Sequence, residues 1–333
     1  MFKFIIILIF IIPSISFSNT FEGFVETKNG NDIFVKYQQA DPGKETFVFV
    51  NGLVYEIERW EKITKQLKKK GFGVLLYEFE GQNRTFKRSM DLNNGKPEWI
   101  YKGLSLNYFA EQLNDIVENF QIERMNLIAL SYGSSIAATF SKKYEEKVKK
   151  LVFMSPLVIP LENYDRQGRQ FHQWLNNLEY FGPIGNFWSN YYYDLVYKWY
   201  YKEQPSSRHY DFGPWEKDYY RSVFHQVKAV RKFDLRKTLK KLTKVKTYFL
   251  TASKEDPIYL PDQQKTWEML PVNIKGSLIH IKGASHAIPD TTPKFTALYL
   301  SEIVMNRTLL NDSKAFNGYY SNGKLVLNPK HNK

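Results

Sequence analysis

The chain has 333 residues and contains no cysteine, which excludes disulfide bonds and lipid attachment through a cysteine. Its formal net charge of +13 favours anionic partners such as phospholipid surfaces. The basic residues are scattered along the chain, however, and short runs such as 68–70 and 240–241 are typical of solvated helix ends. The charge is compatible with a peripheral contact with an anionic membrane surface, and we expect no nucleic-acid partner.

The N-terminus has the three-part layout of a secretory signal peptide over residues 1–18. A basic start at Lys3 is followed by an apolar run over 4–12, and Ser16 and Ser18 supply the small residues before the predicted cut. The apolar run is shorter than the roughly 20 residues that a membrane-spanning helix needs. We expect a secreted or periplasmic protein, with an uncleaved N-terminal membrane anchor as the alternative.

After this segment, residues 21–27 and 32–38 predict two strands joined by a hairpin turn at 28–31. Short apolar runs, typical of buried strands, then alternate with amphipathic helices. This alternation predicts an α/β fold with a mostly parallel central sheet and helices on both faces. The predicted strands are 46–50, 73–77, 125–130, 150–154, 246–251 and 276–281, and the predicted helices include 106–120, 134–144, 262–269 and 293–305. Residues 81–95 are predicted to be a polar loop.

The alternation is interrupted by residues 160–235, which are rich in aromatic side chains. We expect this stretch to form a mostly helical cap inserted into a core built from residues 19–159 and 236–310. Residues 311–333 are predicted to be a polar C-terminal tail, in which the Asn-Gly pair at 322–323 favours a small hairpin.

Ser131 is the candidate nucleophile, because it closes one predicted strand and precedes a predicted helix. A sharp turn between these elements lifts a serine hydroxyl above the sheet, and it requires small residues nearby. Ala129 and Gly133, two residues to either side, meet that requirement. The alternative interpretation is an ordinary serine that caps a helix.

Covalent ester or amide hydrolysis also needs a base and an acid that orients it. His286 follows a predicted strand in a loop of small residues, whereas the competing His280 falls inside that strand. Asp256 follows the preceding strand in a turn stiffened by Pro257, and Glu255 is the alternative carboxylate. The sequence thus predicts the catalytic set Ser131, Asp256 and His286.

Two backbone N–H groups are predicted to form the oxyanion hole. One belongs to Leu53, which follows the strand-ending pair Asn51-Gly52, and the other belongs to Tyr132. No histidine pair has the spacing of metal ligands backed by acids, so we predict no metal. The chemistry requires no cofactor.

The chain order Ser, Asp, His is that of the α/β-hydrolase fold. From about residue 21 to 305, the sequence resembles the α/β-hydrolase family, particularly its capped esterase and lysophospholipase-like members. The resemblance is carried by the stretches 47–52, 122–133, 148–156 and 283–286. It implies the nucleophile, acid and base assignments given above.

The sequence departs from the family pattern at two places. Asn51-Gly52 stands where the family usually has His-Gly, and residues 78–83 replace a frequent Asp-x-x-Gly-x-Gly loop. Neither change removes a catalytic group.

The cap is expected to line the substrate pocket, and its aromatic residues suit an apolar acyl chain. The pocket candidates are Asn51, Trp188, Tyr192 and Trp199. Together with the positive charge, they favour a lipid-like carboxylic ester, such as a lysophospholipid or a monoacylglycerol. The open alternatives are a serine aminopeptidase of the proline iminopeptidase type and a catalytically idle binding protein. The aromatic residues have an alternative of their own, which is to pack the core of the cap.

Overall fold

The computed structural model describes residues 20–160, 219–254, 260–305 and 313–329, together with Trp174, Ile184 and Trp188. The predicted signal peptide lies outside these residues. Within them, no helix is both long enough and apolar enough to cross a membrane.

The described residues form a ten-stranded sheet. Its strands are β1 (Thr20–Glu26), β2 (Asp32–Gln38), β3 (Thr46–Val50), β4 (Gly73–Glu78), β5 (Met125–Leu130), β6 (Val148–Met154), β7 (Lys246–Lys254), β8 (Lys275–Ser285), β9 (Ala315–Ser321) and β10 (Lys324–Pro329). The helices of the same residues are α1 (Glu61–Lys68), α2 (Asn83–Leu92), α3 (Trp99–Lys102), α4 (Leu106–Asn119), α5 (Gly133–Lys143), α6 (Tyr219–Val230), α7 (Leu235–Leu239), α8 (Leu260–Glu268), α9 (Ile288–Thr291) and α10 (Pro293–Val304).

The strands lie in the order β1-β2-β4-β3-β5-β6-β7-β8-β9-β10. Neighbouring strands from β4 through β9 run parallel, and antiparallel strands complete the sheet at both edges. The predicted mostly parallel sheet is therefore confirmed. In such a sheet the carboxyl ends of the parallel strands meet at one edge, where ligand sites form.

Hydrophobic cores cover both faces of the sheet, because successive side chains of a strand point to opposite sides. In β3, Phe47 and Phe49 face a core that includes the apolar residues of α1 and α10. Val48 and Val50 face a second core, completed by α4 and α5. The predicted helices on both faces are confirmed, and burial on both sides explains why the central strands are apolar throughout.

Residues 81–95 do not form the predicted loop, since α2 occupies most of them. The buried carboxylate of Glu78 accepts hydrogen bonds from the backbone N–H groups of Arg84, at 2.8 Å, and Thr85, at 3.4 Å. These bonds satisfy amides at the start of the helix that would otherwise lack partners. Phe86 then anchors the helix in the core. The capping group comes from the preceding strand, so a local pattern does not reveal it.

A backbone hydrogen bond joins the two ends of the predicted insertion. Val158, just after β6, accepts a backbone hydrogen bond of 3.1 Å from the N–H of Leu235, the first residue of α7. The residues at the two ends of the predicted 160–235 insertion are thus held together at the core. The described part of this stretch includes α6, which packs on the core through Val223 and Val227.

The described C-terminal residues extend the sheet, although residues 311–333 are predicted to be a polar tail. β9 pairs in parallel with β8, and β10 returns through a turn at Asn322 and Gly323. Both turn residues have positive φ, of 47° and 78°, as tight hairpin turns require. Phe316 enters the same core as α10, and this burial makes the hairpin part of the fold.

Replacing Phe316 by alanine tests this conclusion. The Phe316 side chain is only 7 % exposed, so the Phe316→Ala change should lower the free energy of unfolding by about 3 kcal/mol. Tyr320→Ala, in the same strand, is the matched control. Because Tyr320 is 41 % exposed, this change should lower the free energy of unfolding much less. Urea denaturation monitored by circular dichroism measures both variants. Equal losses would contradict a core role for β9.

Candidate active site

Ser131 lies in the turn between β5 and α5 at the carboxyl edge of the sheet. Its φ of 50° is in the left-handed region, which is uncommon for residues other than glycine. The Ser131 N–H donates to the carbonyl of Met154 at 2.9 Å, and this bond ties the turn to the end of β6. The side chain is partly buried, and α5 begins two residues later.

Gly133 explains why this turn needs a small residue. A Cβ at this position would lie 2.5 Å from both Val50 O and Asn51 O, which are backbone atoms at the end of β3. Any side chain would therefore push α5 away from the neighbouring strand. The close approach also brings the Ser131 turn against the loop that follows β3.

Backbone strain is concentrated at this edge of the sheet. Three other non-glycine residues with positive φ lie within five residues of the ends of β3, β4 and β6: Val54 at 53°, Asn83 at 37° and Ser155 at 43°. Val54 is especially unusual, because β-branched residues avoid this conformation. Such outliers cluster at functional sites, where the surrounding structure holds them in place. The residue types of Val54 and Ser155 did not predict their left-handed conformations.

The loop after β3 is held by a buried amide network. Asn51 accepts from the Trp60 indole N–H at 2.8 Å and donates to the Tyr77 carbonyl at 3.1 Å. Gln82 donates to the Gly52 carbonyl at 2.9 Å. Asn51 is fully buried, and the network occupies both ends of its amide. This side chain therefore orients the loop, and its place in a substrate pocket stays a prediction.

The two amides predicted for the oxyanion hole lie on either side of the close contact between Gly133 and the end of β3. Leu53 follows the anchored Gly52, and Tyr132 immediately precedes α5. Neither N–H donates to an oxygen atom of the residues that the structure describes. The Tyr132 amide also lies at a helix N-terminus, where the helix dipole favours negative charge.

The side chain of Tyr132 is buried and points away from solvent. Its ring stacks on Phe79 with the centroids 5.6 Å apart, and its hydroxyl donates to the Gln226 carbonyl at 3.0 Å. Burial raises the pKa of the Tyr132 hydroxyl well above its ordinary value, so the group remains a neutral donor. The residue after the candidate nucleophile is thus fixed to α6.

Helix α6 makes further bonds to the loop that follows β4. Ser222 Oγ and Gln226 Nε2 both donate to the Gly81 carbonyl, at 2.6 and 2.9 Å. Tyr219 Oη donates to Asn83 Oδ1 at 3.2 Å. Gly81 has a φ of 85°, and a Cβ there would overlap Ser222 Oγ. These contacts seat the described end of the predicted cap beside the site.

His286 lies between β8 and α9, at the same edge of the sheet as Ser131. It is partly buried, and its carbonyl accepts a hydrogen bond of 3.0 Å from the Ile288 N–H. The competing His280 lies inside β8, where its Nδ1 is 3.2 Å from Thr251 Oγ1 on the neighbouring strand. His280 therefore contacts a neighbouring strand inside the sheet and does not lie in the loop at its carboxyl edge.

Several predicted site residues lie outside the described residues. They include Asp256 and the alternative Glu255, as well as Tyr192 and Trp199. Strand β7 ends at Lys254, which pairs in register with Ser285. Lys254, two positions before Asp256 in the chain, thus lies beside the residue that precedes His286.

Trp188 is described and is 44 % exposed. Among the described residues, no group of three or more His, Cys, Asp or Glu side chains is arranged to hold a metal ion.

Comparison with known proteins identifies a family. The family model described as "alpha/beta hydrolase fold" matches residues 45–288, which is well over half of the chain. A Mycoplasma genitalium protein named "Putative esterase/lipase 2" is 24 % identical over 133 residues, 39 % of this chain and 46 % of that protein. The chain spans less than half the length of the curated relatives that it matches.

Solved structures share the fold. An esterase from Exiguobacterium antarcticum superposes with a TM-score of 0.59 and 14 % identity, covering 86 % of this chain and 100 % of that one. Naproxen esterase (carboxylesterase NP) from Bacillus subtilis gives a TM-score of 0.55 and 15 % identity, covering 85 % and 91 %. At these identities the likeness concerns the fold alone.

A buried carboxylate lies close to the site. Glu80 follows β4 by two residues and is fully buried. Neither of its carboxylate oxygens has a hydrogen-bond partner of ordinary geometry in the described part of the chain. Ser89, Trp99 and Gln112 nevertheless lie near enough to favour the charged form in part. Burial outweighs them and raises the pKa of Glu80 to about 7.

This raised pKa makes stability depend on pH. Between the ordinary value for a glutamate and about 7, the folded protein binds more protons at Glu80 than the unfolded chain does. Glu80 should therefore lower stability progressively as pH rises through that range, by about 3 kcal/mol in all. Glu80→Gln should remove this slope and stabilise the protein at pH 8, with the exposed Glu146→Gln as control. Urea denaturation at pH 5, 6, 7 and 8 tests this, and an unchanged slope in Glu80→Gln would refute it.

Proposed function

The chain belongs to the α/β-hydrolase fold family, and on that premise we propose that it is a serine hydrolase of carboxylic esters. The observation that carries the proposal is the left-handed turn at Ser131, packed through Gly133 against the loop that holds Leu53. In this proposal Ser131 is the nucleophile, His286 is the base and Asp256 is the acid that orients His286. The esterase names of similar proteins support the same class.

The first half of the reaction acylates the enzyme. His286 accepts the hydroxyl proton while Ser131 Oγ forms a bond to the acyl carbon, and the carbonyl electron pair moves onto oxygen. The N–H groups of Leu53 and Tyr132 donate to that oxyanion. When the carbonyl re-forms, the bond to the alcohol oxygen breaks and His286 delivers its proton to the departing alcohol.

The second half releases the acid. Water attacks the acyl-enzyme while His286 takes one of its protons, and the same two N–H groups stabilise the new oxyanion. Collapse of this intermediate expels Ser131 Oγ, which recovers its proton from His286. Asp256 holds the imidazole in the required tautomer and stabilises its charged form throughout.

We propose a lipid-like ester, such as a lysophospholipid or a monoacylglycerol, as the substrate. Support comes from the aromatic residues of the inserted segment, of which Trp188 is 44 % exposed. Tyrosine and tryptophan suit a boundary between lipid and water, because each has an apolar body and a polar tip. The net charge of +13 adds attraction to an anionic lipid surface.

Ser131→Ala provides the direct test of catalysis. It should lower kcat for short acyl esters by at least about 1,000-fold, because removing a triad member leaves only the oxyanion hole and substrate binding. Ser141→Ala is the matched control: Ser141 is a buried serine on α5, the helix that follows Ser131, and its hydroxyl has no hydrogen-bond partner in the described residues. The measurements are hydrolysis of p-nitrophenyl esters and covalent labelling by a fluorophosphonate probe. Unchanged turnover in Ser131→Ala would refute the assignment.

A substrate panel tests the finer proposal. It contains p-nitrophenyl esters of increasing acyl length, a lysophosphatidylcholine, a monoacylglycerol and an aminoacyl anilide. We expect higher kcat/KM for the lipid esters than for the anilide. Cleavage of the anilide alone would indicate an aminopeptidase instead. Failure of the wild-type protein to label or turn over any member would favour a binding protein.

A further inference from the structure

Asp290 links two loops that the proposed reaction uses. Its Oδ1 accepts hydrogen bonds from the Tyr55 hydroxyl at 3.1 Å and from Arg59 Nε at 3.3 Å. Its Oδ2 pairs with Arg59 Nη2, so the guanidinium and the carboxylate meet through two parallel contacts. The guanidinium also lies 4.6 Å from the centre of the Tyr55 ring. Two-point contacts of this kind fix orientation as well as distance.

On one side, this cluster holds the segment that carries His286. Asp290 belongs to the short helix α9, which starts two residues after His286. The Ile288 N–H donates to the His286 carbonyl at 3.0 Å, and the Ser285 N–H donates to Thr291 Oγ1 at 3.2 Å. A displacement of α9 therefore moves the histidine with it.

On the other side, the cluster holds the loop of the predicted oxyanion hole. The Tyr55 N–H donates to the Gly52 carbonyl at 3.3 Å, which closes a tight turn around Leu53 and the strained Val54. Arg59 belongs to a short 3-10 helix, Ile57–Trp60, whose last residue bonds Asn51. The Leu53 amide is thus connected to Tyr55 and Arg59 through a short, bonded stretch of chain.

The sheet itself does not join these two loops directly. They follow β3 and β8, and the strands β5, β6 and β7 lie between them. The Asp290 cluster bridges this gap with side chains that are mostly buried, since Arg59 is 15 % and Asp290 19 % exposed at the side chain. Solvent screens such a pair less than it screens an exposed one.

We propose that Asp290, held by Arg59 and Tyr55, is a positioning residue that sets His286 relative to the oxyanion-hole loop. The inference rests on the proposed function and adds a residue to it. Asp290 acts through His286 and the loop of Leu53, and it does not touch the reacting atoms. Misplacement of a catalytic group by about 1 Å can cost on the order of 100-fold in rate. A loosened cluster should therefore lower kcat while leaving substrate affinity nearly unchanged.

The test compares two conservative variants. Asp290→Asn keeps the shape of the side chain but removes its charge, and Arg59→Lys keeps the charge but loses the planar fork. Each should lower kcat for a short acyl ester by about 10-fold or more, with KM changed by no more than about twofold. The rate constant of fluorophosphonate labelling should fall in parallel, because it reports how well His286 activates Ser131. The double variant should have a kcat only slightly lower than that of either single variant, since the two substitutions break the same contact.

A second ion pair supplies the matched controls. Arg236 and Asp234, at the start of α7, form a similar two-point contact with distances of 2.9 and 2.7 Å. Asp234→Asn and Arg236→Lys should therefore lower the melting temperature without lowering kcat. Should a cluster variant fail to fold, Tyr55→Phe removes a single hydroxyl bond to Asp290 and keeps the ring. It should lower kcat by about twofold to fivefold.

The outcomes separate this inference from the proposed function. If Ser131→Ala retains activity, the proposed function fails. If Ser131→Ala is inactive but the cluster variants keep wild-type kcat and labelling rates while melting earlier, Asp290 has only a stabilising role and the inference is overturned. If the Asp290 and Arg59 variants do not fold, an unchanged kcat in Tyr55→Phe also overturns the inference.

Discussion

The absence of a side chain at Gly133 is the constraint on which the rest of the site depends. The first turn of α5 meets the backbone carbonyls of Val50 and Asn51 so closely that no Cβ fits between them. Glycine at this position therefore allows α5 to start directly against the end of β3. Ser131, two residues earlier, adopts a left-handed conformation in the same turn, beside the loop that carries Leu53.

That constraint has an energetic consequence. Left-handed backbone at a non-glycine residue costs on the order of 1–3 kcal/mol, and Val54, Asn83, Ser131 and Ser155 all adopt it within five residues of a strand end. Such residues persist only where neighbouring structure over-determines them. Here the strands beneath them are buried on both faces, and backbone bonds to adjacent strands pin both serines: Ser131 N–H to Met154 O and Ser155 N–H to Leu250 O, each 2.9 Å. Packing and hydrogen bonding in the central sheet thus offset the cost of the strained conformations at its edge.

The sequence was sufficient for those parts of the structure that depend on local patterns. Apolar runs and helical periodicity predicted the central strands and the helices α4, α5, α8 and α10, and the small residues around Ser131 predicted a tight turn. The pair Asn322-Gly323 likewise predicted its hairpin. These features are encoded by residues adjacent in sequence, so they can be read without the tertiary structure.

The features that the sequence did not reveal depend on distant partners. Helix α2 is capped by a side chain of the preceding strand, Glu78, and its flanking glycines resemble the ends of a loop. Asn51 follows a strand end like a pocket residue, yet Trp60 and Tyr77 occupy its amide. The role of Asp290 requires knowing that Arg59, 231 positions earlier, lies against it. Neither side chain carries a local signal.

The predicted insertion is also connected to the turn that holds Ser131. Its described end, α6, bonds to the Gly81 carbonyl through Ser222 and Gln226, and Gln226 in turn accepts the hydroxyl of Tyr132. Tyr132 supplies one of the two amides that we assign to the oxyanion hole. A shift of α6 would therefore pull on the residue next to Ser131, while a shift of the β3 loop would be transmitted through Gly133. The described end of the predicted insertion and the amide proposed for the oxyanion hole are thus mechanically linked through the Tyr132 side chain.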